Sequence, residues 1–340
     1  VTFVVTSAAL FPTTGTFHIL VGSELLLVTA VSGTSWTVSR AQEGTGAAPH
    51  ANGDMVTEVL TTEALDRAIV DRVSLGTQDF RLTLASGVPI STTDQAAKTR
   101  VYCTPYQGTR IALYTGTRWI IYQSAEFSLA LGTLTAALPY DVFCYASGIA
   151  PTLELLAWST ATTRATALTR QDGVLVKTGA LTRRYLGTLY TSSTTTTEDT
   201  ETQRFLWNAF HRRPQRLKKT DESDHVYAST TPRYYGGTTT NKAEFVLGLL
   251  EDAWVAAYAV SMVVTTGFGR QGIGLDVAGT YLDSMTIGGP SNEVRTRTSV
   301  VLAPGMFGSP GYHFLSLLES SDLGDSINYT RADVLASLPC

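Results

Sequence analysis

Charged residues are scarce in this chain of 340, at 16%, and lysine and methionine are used sparingly. Hydrophobic residues reach 44%, so the scarcity of charge excludes global disorder rather than indicating it. The net charge of −4 gives no general attraction to nucleic acid or to anionic membranes. Cysteine is nearly absent. Cys103, Cys144 and Cys340 are odd in number and lack motif spacing, which argues against a disulfide framework or a zinc site. Two buried thiols and one terminal thiol are expected, rather than a Cys103–Cys144 bridge. No long hydrophobic run is present. The longest, Ala253 to Val264, falls short of the roughly 20 residues a spanning helix needs, so no membrane insertion is expected. Val1-Thr2-Phe3-Val4-Val5 is a strand-like start without a basic leader or a long apolar segment.

Catalytic and cofactor signatures are also missing. There is no G-x-S-x-G elbow and no H-E-x-x-H. Gly267 to Gly272 spells G-x-G-x-x-G, but Ile273 to Gly279 is a poor helix opening, so a strand connection is expected rather than a phosphate cradle. Asp322 and Asp325 lack the regular spacing of a calcium loop. Glu198, Asp199, Glu201, Asp221, Glu222 and Asp224 lie in polar stretches without a spacing that singles out an acid pair. His211, Arg212, Arg213, Arg216, Lys218 and Lys219 form a basic cluster beside Trp207 and Phe210. Asp221, Glu222 and Asp224 offset it, which favours a solvated loop or ion pairs between subunits over nucleic-acid binding. No catalytic residue, cofactor or metal is therefore assigned.

Gly, Thr, Ser, Val and Tyr are plentiful, a usage that favours strands and turns. The expected fold is mainly β: several small β-sandwich or barrel domains, one short helical neck and a jelly-roll-like C-terminal domain. Residues 1–62 read as short strands, with Phe17, Ile19 and Val21 alternating and Trp36 and Val38 alternating after the Gly33-Thr34 turn. Residues 63–75 hold a helical pattern, with Leu65, Ile69 and Val73 on one face. These three are the candidates for a neck bundled with copies of itself. Residues 76–165 read as a β-sandwich with hairpins at Arg110–Tyr122 and at Asp141–Trp158. Residues 166–225 read as a Thr-rich connecting module. In it, Thr191 to Thr202 is expected as an exposed loop ahead of a short amphipathic segment at Gln203–Phe210. Residues 226–340 hold the remaining strands, with Ala243–Leu250 and Trp254–Thr266 expected as strand–turn–strand.

Several stretches resemble modules of virion fibre proteins of tailed bacteriophages. One is Leu155-Leu156-Ala157-Trp158, followed by Arg164-Ala165-Thr166-Ala167-Leu168, Gln171 to Lys177, and Arg183-Arg184-Tyr185-Leu186-Gly187-Thr188. Arg204-Phe205-Leu206-Trp207-Asn208 and Arg212-Arg213-Pro214 fit the same module, and Val101 to Tyr114 matches a fibre pattern. The N-terminal stretch is similar to a second phage module through Phe11-Pro12-Thr13, Glu24, Arg40 with Glu43-Gly44-Thr45, and His50-Ala51-Asn52-Gly53. It departs where the pattern often has Gly after the Arg (here Ala41) and Ala before the His (here Pro49), so those turns are expected to differ. The resemblance covers about two thirds of the chain and is weakest after Tyr281.

The resemblance implies a non-enzymatic fibre protein of the virion, assembled in the bacterial cytoplasm as a homotrimer. It implies contacts from residues 1–62 to other virion proteins and a distal C-terminal domain that meets a host glycan or protein. Capsid, neck or baseplate decoration and a polysaccharide-degrading spike are the alternatives. Tyr234, Tyr235, Phe268, Phe307 and Tyr312 are the receptor-binding candidates, as aromatics in or beside Gly-, Thr- and Pro-rich loops.

Overall fold

The computed structural model describes residues 1–13, 16–61, 75–251, 254–263, 268–288, 298–302, 307–322, 324 and 326–339. Leu65, Ile69 and Val73, and with them the expected helical neck, lie outside the described residues. So does Cys340; Cys103 and Cys144 are buried free thiols, as expected. The fold is mainly β. Helical geometry among the described residues is limited to two 3-10 turns, Gln42–Gly44 and Tyr235–Gly237. No described helix is long and apolar enough to cross a membrane. The chain divides into two units, Val1–Ser74 and Leu75–Cys340.

The first unit is one five-stranded sheet. Its strands are β1 (Thr2–Val4), β2 (Phe17–Val21), β3 (Glu24–Ser32), β4 (Ser35–Ser39) and β5 (Val56–Val59), in the order β1-β4-β3-β2-β5. Period-two patterning puts Phe17, Ile19, Val21, Leu26, Val28, Trp36 and Val38 on one buried face. Phe11 closes it, edge-on to Trp36 at 4.9 Å. The loop after β4 shows what the sequence departure at Ala41 entails. Ala41 sits at φ 54°, ψ 49°, a left-handed conformation that costs a residue with a Cβ about 1–2 kcal/mol. Ala41→Gly is expected to stabilise the first unit against unfolding by about 1 kcal/mol, net of glycine's greater unfolded-state entropy. Chemical denaturation followed by Trp36 fluorescence in the full chain checks it. An unchanged or lowered midpoint would show that the strain is relieved elsewhere.

The second unit holds several sheets. The expected hairpins form, Arg110–Tyr114 with Trp119–Gln123, and Pro139–Ser147 with Ala150–Ala157. The latter extends through Ala180–Tyr190, Val174–Lys177 and Leu168–Gln171, with Leu206–Asn208 added to the Ala180–Tyr190 strand. An eight-stranded sheet centres on Gly311–Ser321, between Lys242–Leu247 and Phe268–Leu275. A five-stranded sheet centres on Ile327–Pro339, flanked by Pro214–Asp221 and Trp254–Val263.

The structure corrects two expectations. Residues 166–225 are no connector, because their strands lie in the same sheets as the chain before and after them. Gln203–Arg204 pairs in parallel with Glu244–Phe245, and Pro214–Asp221 runs antiparallel to Ala332–Pro339. One core holds Phe143, Tyr185, Trp207, Phe245, Leu315 and Val334 together. Thr191 and Thr197 are buried rather than looped out. Their hydroxyls donate to the carbonyls of Thr135 (2.8 Å) and Tyr190 (2.7 Å), which makes a Thr-rich stretch compatible with the interior. The two strands expected over Ala243–Leu250 and Trp254–Thr266 form as Lys242–Leu247 and Trp254–Val263, and they do not pair with each other. They belong to different sheets, since an apolar run without clear alternation carries no signal of which strand it joins.

Candidate functional site

Several polar side chains are buried as hubs in both units. In the first, the Glu24 carboxylate is fully covered. It accepts from Arg40 Nε (3.0 Å) and Nη2 (2.5 Å), from the Ala41 and Ala48 amides (3.0 Å each), and lies 2.8 Å from His50 Nε2. Arg40, ahead of the amides and His50, holds this carboxyl well below the usual range despite its burial. In the second unit Arg164 makes a forked ion pair with buried Asp141 (2.7 and 3.1 Å) and donates to the Gly248 carbonyl at 2.6 Å. It also stacks on Trp158 at 4.4 Å. Gly248 is required there, since a Cβ would run into Tyr185 Oη and the Trp207 ring. Buried Arg184 has no carboxylate in this set. Its guanidinium donates to the carbonyls of Ala112 (2.7 Å), Thr77 (2.9 Å), Leu75 (3.4 Å) and Gly76 (3.4 Å), and burial lowers its pKa to about 10. Asn208 pairs with the backbone of Leu82 through both side-chain atoms, at 2.7 and 3.2 Å.

The aromatic candidates divide. Tyr235 and Phe307 are corrected to core residues. Tyr235 packs edge-on against His225 at 4.6 Å, and Phe307 lies across His313 at 4.9 Å. Tyr312 is half-buried and stacked on Tyr190 at 4.5 Å, with its hydroxyl donating to Glu244. Tyr234 is half-buried on a short strand paired with Leu318. Phe268, 43% exposed, is the one candidate that presents a large part of its side chain to solvent. Among the described residues these five side chains therefore make no joint aromatic surface, because large side chains bury area wherever a sheet face is available.

Three members of the basic cluster have partners within the chain. Arg212 pairs with Glu251 at 3.1 Å, Arg213 donates to Tyr106 Oη at 2.9 Å, and Arg216 lies 3.6 Å from Glu201. Phe268–Leu275 is itself a strand, so the glycine motif opens no helix. Among the described residues no His, Cys, Asp and Glu group is placed to hold a metal. A buried carboxylate that local patterning did not mark is Glu319, with His225 Nε2 at 2.5 Å and Arg233 Nε at 2.9 Å. It stands between Leu317-Leu318 and Ser320-Ser321 at the polar end of its strand, and nothing local distinguishes it from a solvent-facing position.

A cleft of about 390 Å³ in the second unit collects the more accessible polar groups. Thr92, Thr93 and Asp94 form one wall, and Glu201, Gln215 and Arg216 the other. The walls are tied by the Glu201 amide, which donates to Asp94 Oδ1 at 2.8 Å. Arg204 lies at the base, held by Asp199 (2.9 Å) and by two bonds to the Arg216 carbonyl (2.9 and 2.7 Å). Burial raises the Asp199 carboxyl, with Arg204 opposing it. Hydroxyls, an amide, carboxylates and a guanidinium in one open groove match the hydrogen-bonding needs of a polyhydroxylated ligand.

No family model and no curated protein matches the chain. Solved structures give slight likenesses. The chain is 12% identical to dimeric latent PorU from Porphyromonas gingivalis, over 61% of this chain and 24% of that one, with a TM-score of 0.24. It is 9% identical to infectious bursal virus derived T=1 particles, over 78% and 67%, with a TM-score of 0.26. It is 6% identical to the insecticidal delta-endotoxin Cry8Ea1 from Bacillus thuringiensis, over 77% and 51%, with a TM-score of 0.23. The chain thus spans about a quarter of the PorU chain and half of the endotoxin. Likenesses this slight assign it to no family.

Proposed function

We propose that this chain is a non-enzymatic fibre protein of a tailed-bacteriophage virion, acting as a homotrimer that joins the particle to its host. The observation that carries this reading is the use made of the residues that resemble fibre modules. Glu24, Arg40 and His50, and then Trp158, Arg164, Arg184 and Asn208, are framework hubs that tie loops and strands together. A motif given over to framework supports a mechanical protein better than one that converges on a reactive centre. The first unit is the proposed contact to the particle and the second the host-facing part.

Within the second unit we place the receptor contact in the cleft between Asp94 and Arg216, with a host glycan as its ligand. Three copies on one axis raise avidity about 100-fold or more when joint engagement is possible. Asp94→Ala combined with Arg216→Ala is expected to lower binding of the purified protein to host cells at least tenfold, with a melting temperature lowered by only about 2–4 °C for the lost Glu201–Asp94 tie. Retained binding in this variant would remove the cleft from the account. Light scattering should return the mass of three chains, and labelled protein should appear on fibres in images of the particle. Label on the shell of the head with no host binding would favour a decoration role. The alternative of a polysaccharide-degrading spike draws on Asp199, a carboxyl raised by burial near Asp94. Release of oligosaccharides from host polysaccharide that is lost in Asp199→Asn would make that reading correct.

A further inference from the structure

The sheet of the first unit is open, and its two ends flank one cleft. β1 and β5 are the terminal strands in the order β1-β4-β3-β2-β5, each paired on one side among the described residues. A cleft of about 490 Å³ lies between them, lined by Phe3, Val4 and Val5 on one side and by Asn52, Asp54 and Val56 on the other. That volume is in the range of ligand-binding clefts, about 300–1,000 Å³. The hydrogen-bond pattern of β1 shows which backbone groups face it. Val1 exchanges both backbone bonds with Val38 (2.9 and 2.8 Å), and the Val5 amide donates to the Thr34 carbonyl at 2.9 Å. Residues of an antiparallel edge strand alternate between facing the partner and facing away. Val1, Phe3 and Val5 therefore face β4, and the N–H and C=O groups of Thr2 and Val4 face outward.

The side chains around this opening are unusual for a free edge. Val4 is 71% exposed and Met55 80% exposed, whereas solvent-exposed edges are usually guarded by lysine or proline. Residues 1–61 contain no lysine, and their acids Glu24, Glu43, Asp54 and Glu58 face a single arginine, Arg40, which Glu24 already occupies. Asp54 and Glu58 are exposed, on the run into β5 and on β5 itself.

We propose that this opening is a strand-acceptor site. It takes an extended segment of another protein, in which apolar residues alternate with Lys or Arg. Only an extended backbone satisfies the outward N–H and C=O groups of β1. The alternation follows from the walls, with Phe3, Val5 and Val56 toward the core and the acids at the rim. A second copy of this unit is disfavoured as the occupant because it would bring the same acids to the same rim. The inference deepens the proposed attachment role of the first unit and rests on that reading for the partner being a virion protein.

The test uses the full chain and a labelled heptapeptide alternating valine with lysine. Anisotropy is expected to show saturable binding, and amide exchange at Thr2 and Val4 is expected to slow at least tenfold on saturation. A peptide alternating valine with glutamate should bind at least tenfold more weakly, and one with proline at its centre should not bind. Val4→Pro removes one outward N–H while leaving the bonds of Val1, Phe3 and Val5 to β4 in place, and edge strands tolerate proline. It should abolish peptide binding with unaltered Trp36 fluorescence. Should Val4→Pro fail to fold, the proline-centred peptide and the exchange at Thr2 and Val4 still decide. Three results would overturn the proposal: unaltered exchange at millimolar peptide, equal binding of the proline-centred peptide, or protection that rises with protein concentration in the absence of peptide. The last would make a second copy the occupant. Host binding by the cleft of the second unit is measured separately, so failure of either is distinguishable.

Discussion

Replacing Glu24 by alanine is expected to unfold the first unit of the full chain at room temperature while leaving the second folded. A domain of about 74 residues has roughly 4–11 kcal/mol of stability in all. The Glu24 carboxylate is the shared acceptor for Arg40, two backbone amides and His50. Hydrogen bonds to a charged group are worth about 1.5–3 kcal/mol each before their mutual dependence is considered. Removing the acceptor takes the shared partner from all of these donors at once, and leaves the loop from Arg40 to His50 with the Arg40–Ala48, Thr61–Glu43 and Leu25–Thr45 bonds, none of which replaces a carboxylate shared by four groups. Glu24→Gln keeps the shape and forfeits the charge, so its loss should be intermediate.

The pH dependence has a definite sign. The Glu24 carboxyl is lowered from an unfolded value near 4.5. Its contribution is complete above that pH and is lost as the pH falls below it, because the unfolded chain then takes up the proton more readily. Wild-type unfolding monitored by Trp36 should therefore move to lower denaturant between pH 5 and pH 3, about the range of carboxylate titration. Glu24→Gln should lack most of that movement. A Glu24→Ala protein with native Trp36 fluorescence at pH 7 would show that the hub is dispensable.

The second large effect is expected from Asp141→Ala in the second unit. Asp141 is 1% exposed and accepts both arms of Arg164 and the Thr188 hydroxyl, the last at 2.7 Å. Removing the carboxylate leaves a largely covered guanidinium between Trp158 and Tyr185, with the Gly248 carbonyl (2.6 Å) and the Tyr185 hydroxyl (3.3 Å) as its neutral acceptors. Breaking a buried pair on one side typically costs about 3–5 kcal/mol. For a unit of this size the melting temperature should fall by about 10 °C. Asp141→Leu with Arg164→Met should recover most of that loss, because the isolated charge, not the missing attraction, dominates the penalty. Calorimetry on the full chain resolves the two units if their transitions separate. A double variant as unstable as Asp141→Ala would instead mean that the pair's geometry positions the Gly248 turn.

Local structure was largely legible in the sequence. Alternation located Phe17–Val21 and Ser35–Ser39, and turn residues located the hairpin from Arg110 and that from Pro139. The Glu24 hub was marked only by resemblance, since its Arg40 and His50 partners stand 16 and 26 residues away. Asp141 gave no signal. It reads as the polar start of a strand, and its burial depends on Arg164 arriving from 23 residues on. The aromatic candidates failed for a related reason. Composition identifies side chains able to stack on a sugar, but Tyr235 and Phe307 pack edge-on against His225 and His313 inside the core instead.

What the sequence by itself determined is the class and its punctuation: a mainly β chain of short strands, free thiols, and turns where Gly, Asn and Asp cluster. Those features follow from steric and hydrogen-bonding preferences that act within a few residues. Tertiary structure alone decided which strands became neighbours. Gln203–Arg204 lies beside Glu244–Phe245, Pro214–Asp221 beside Ala332–Pro339, and Lys242–Leu247 apart from Trp254–Val263. It also decided that Thr92, Thr93 and Asp94 face Glu201 and Arg216 across a cleft. Strand pairing joins backbone groups common to every residue, so the choice of partner rests on the shape and burial of whole faces brought together from distant parts of the chain.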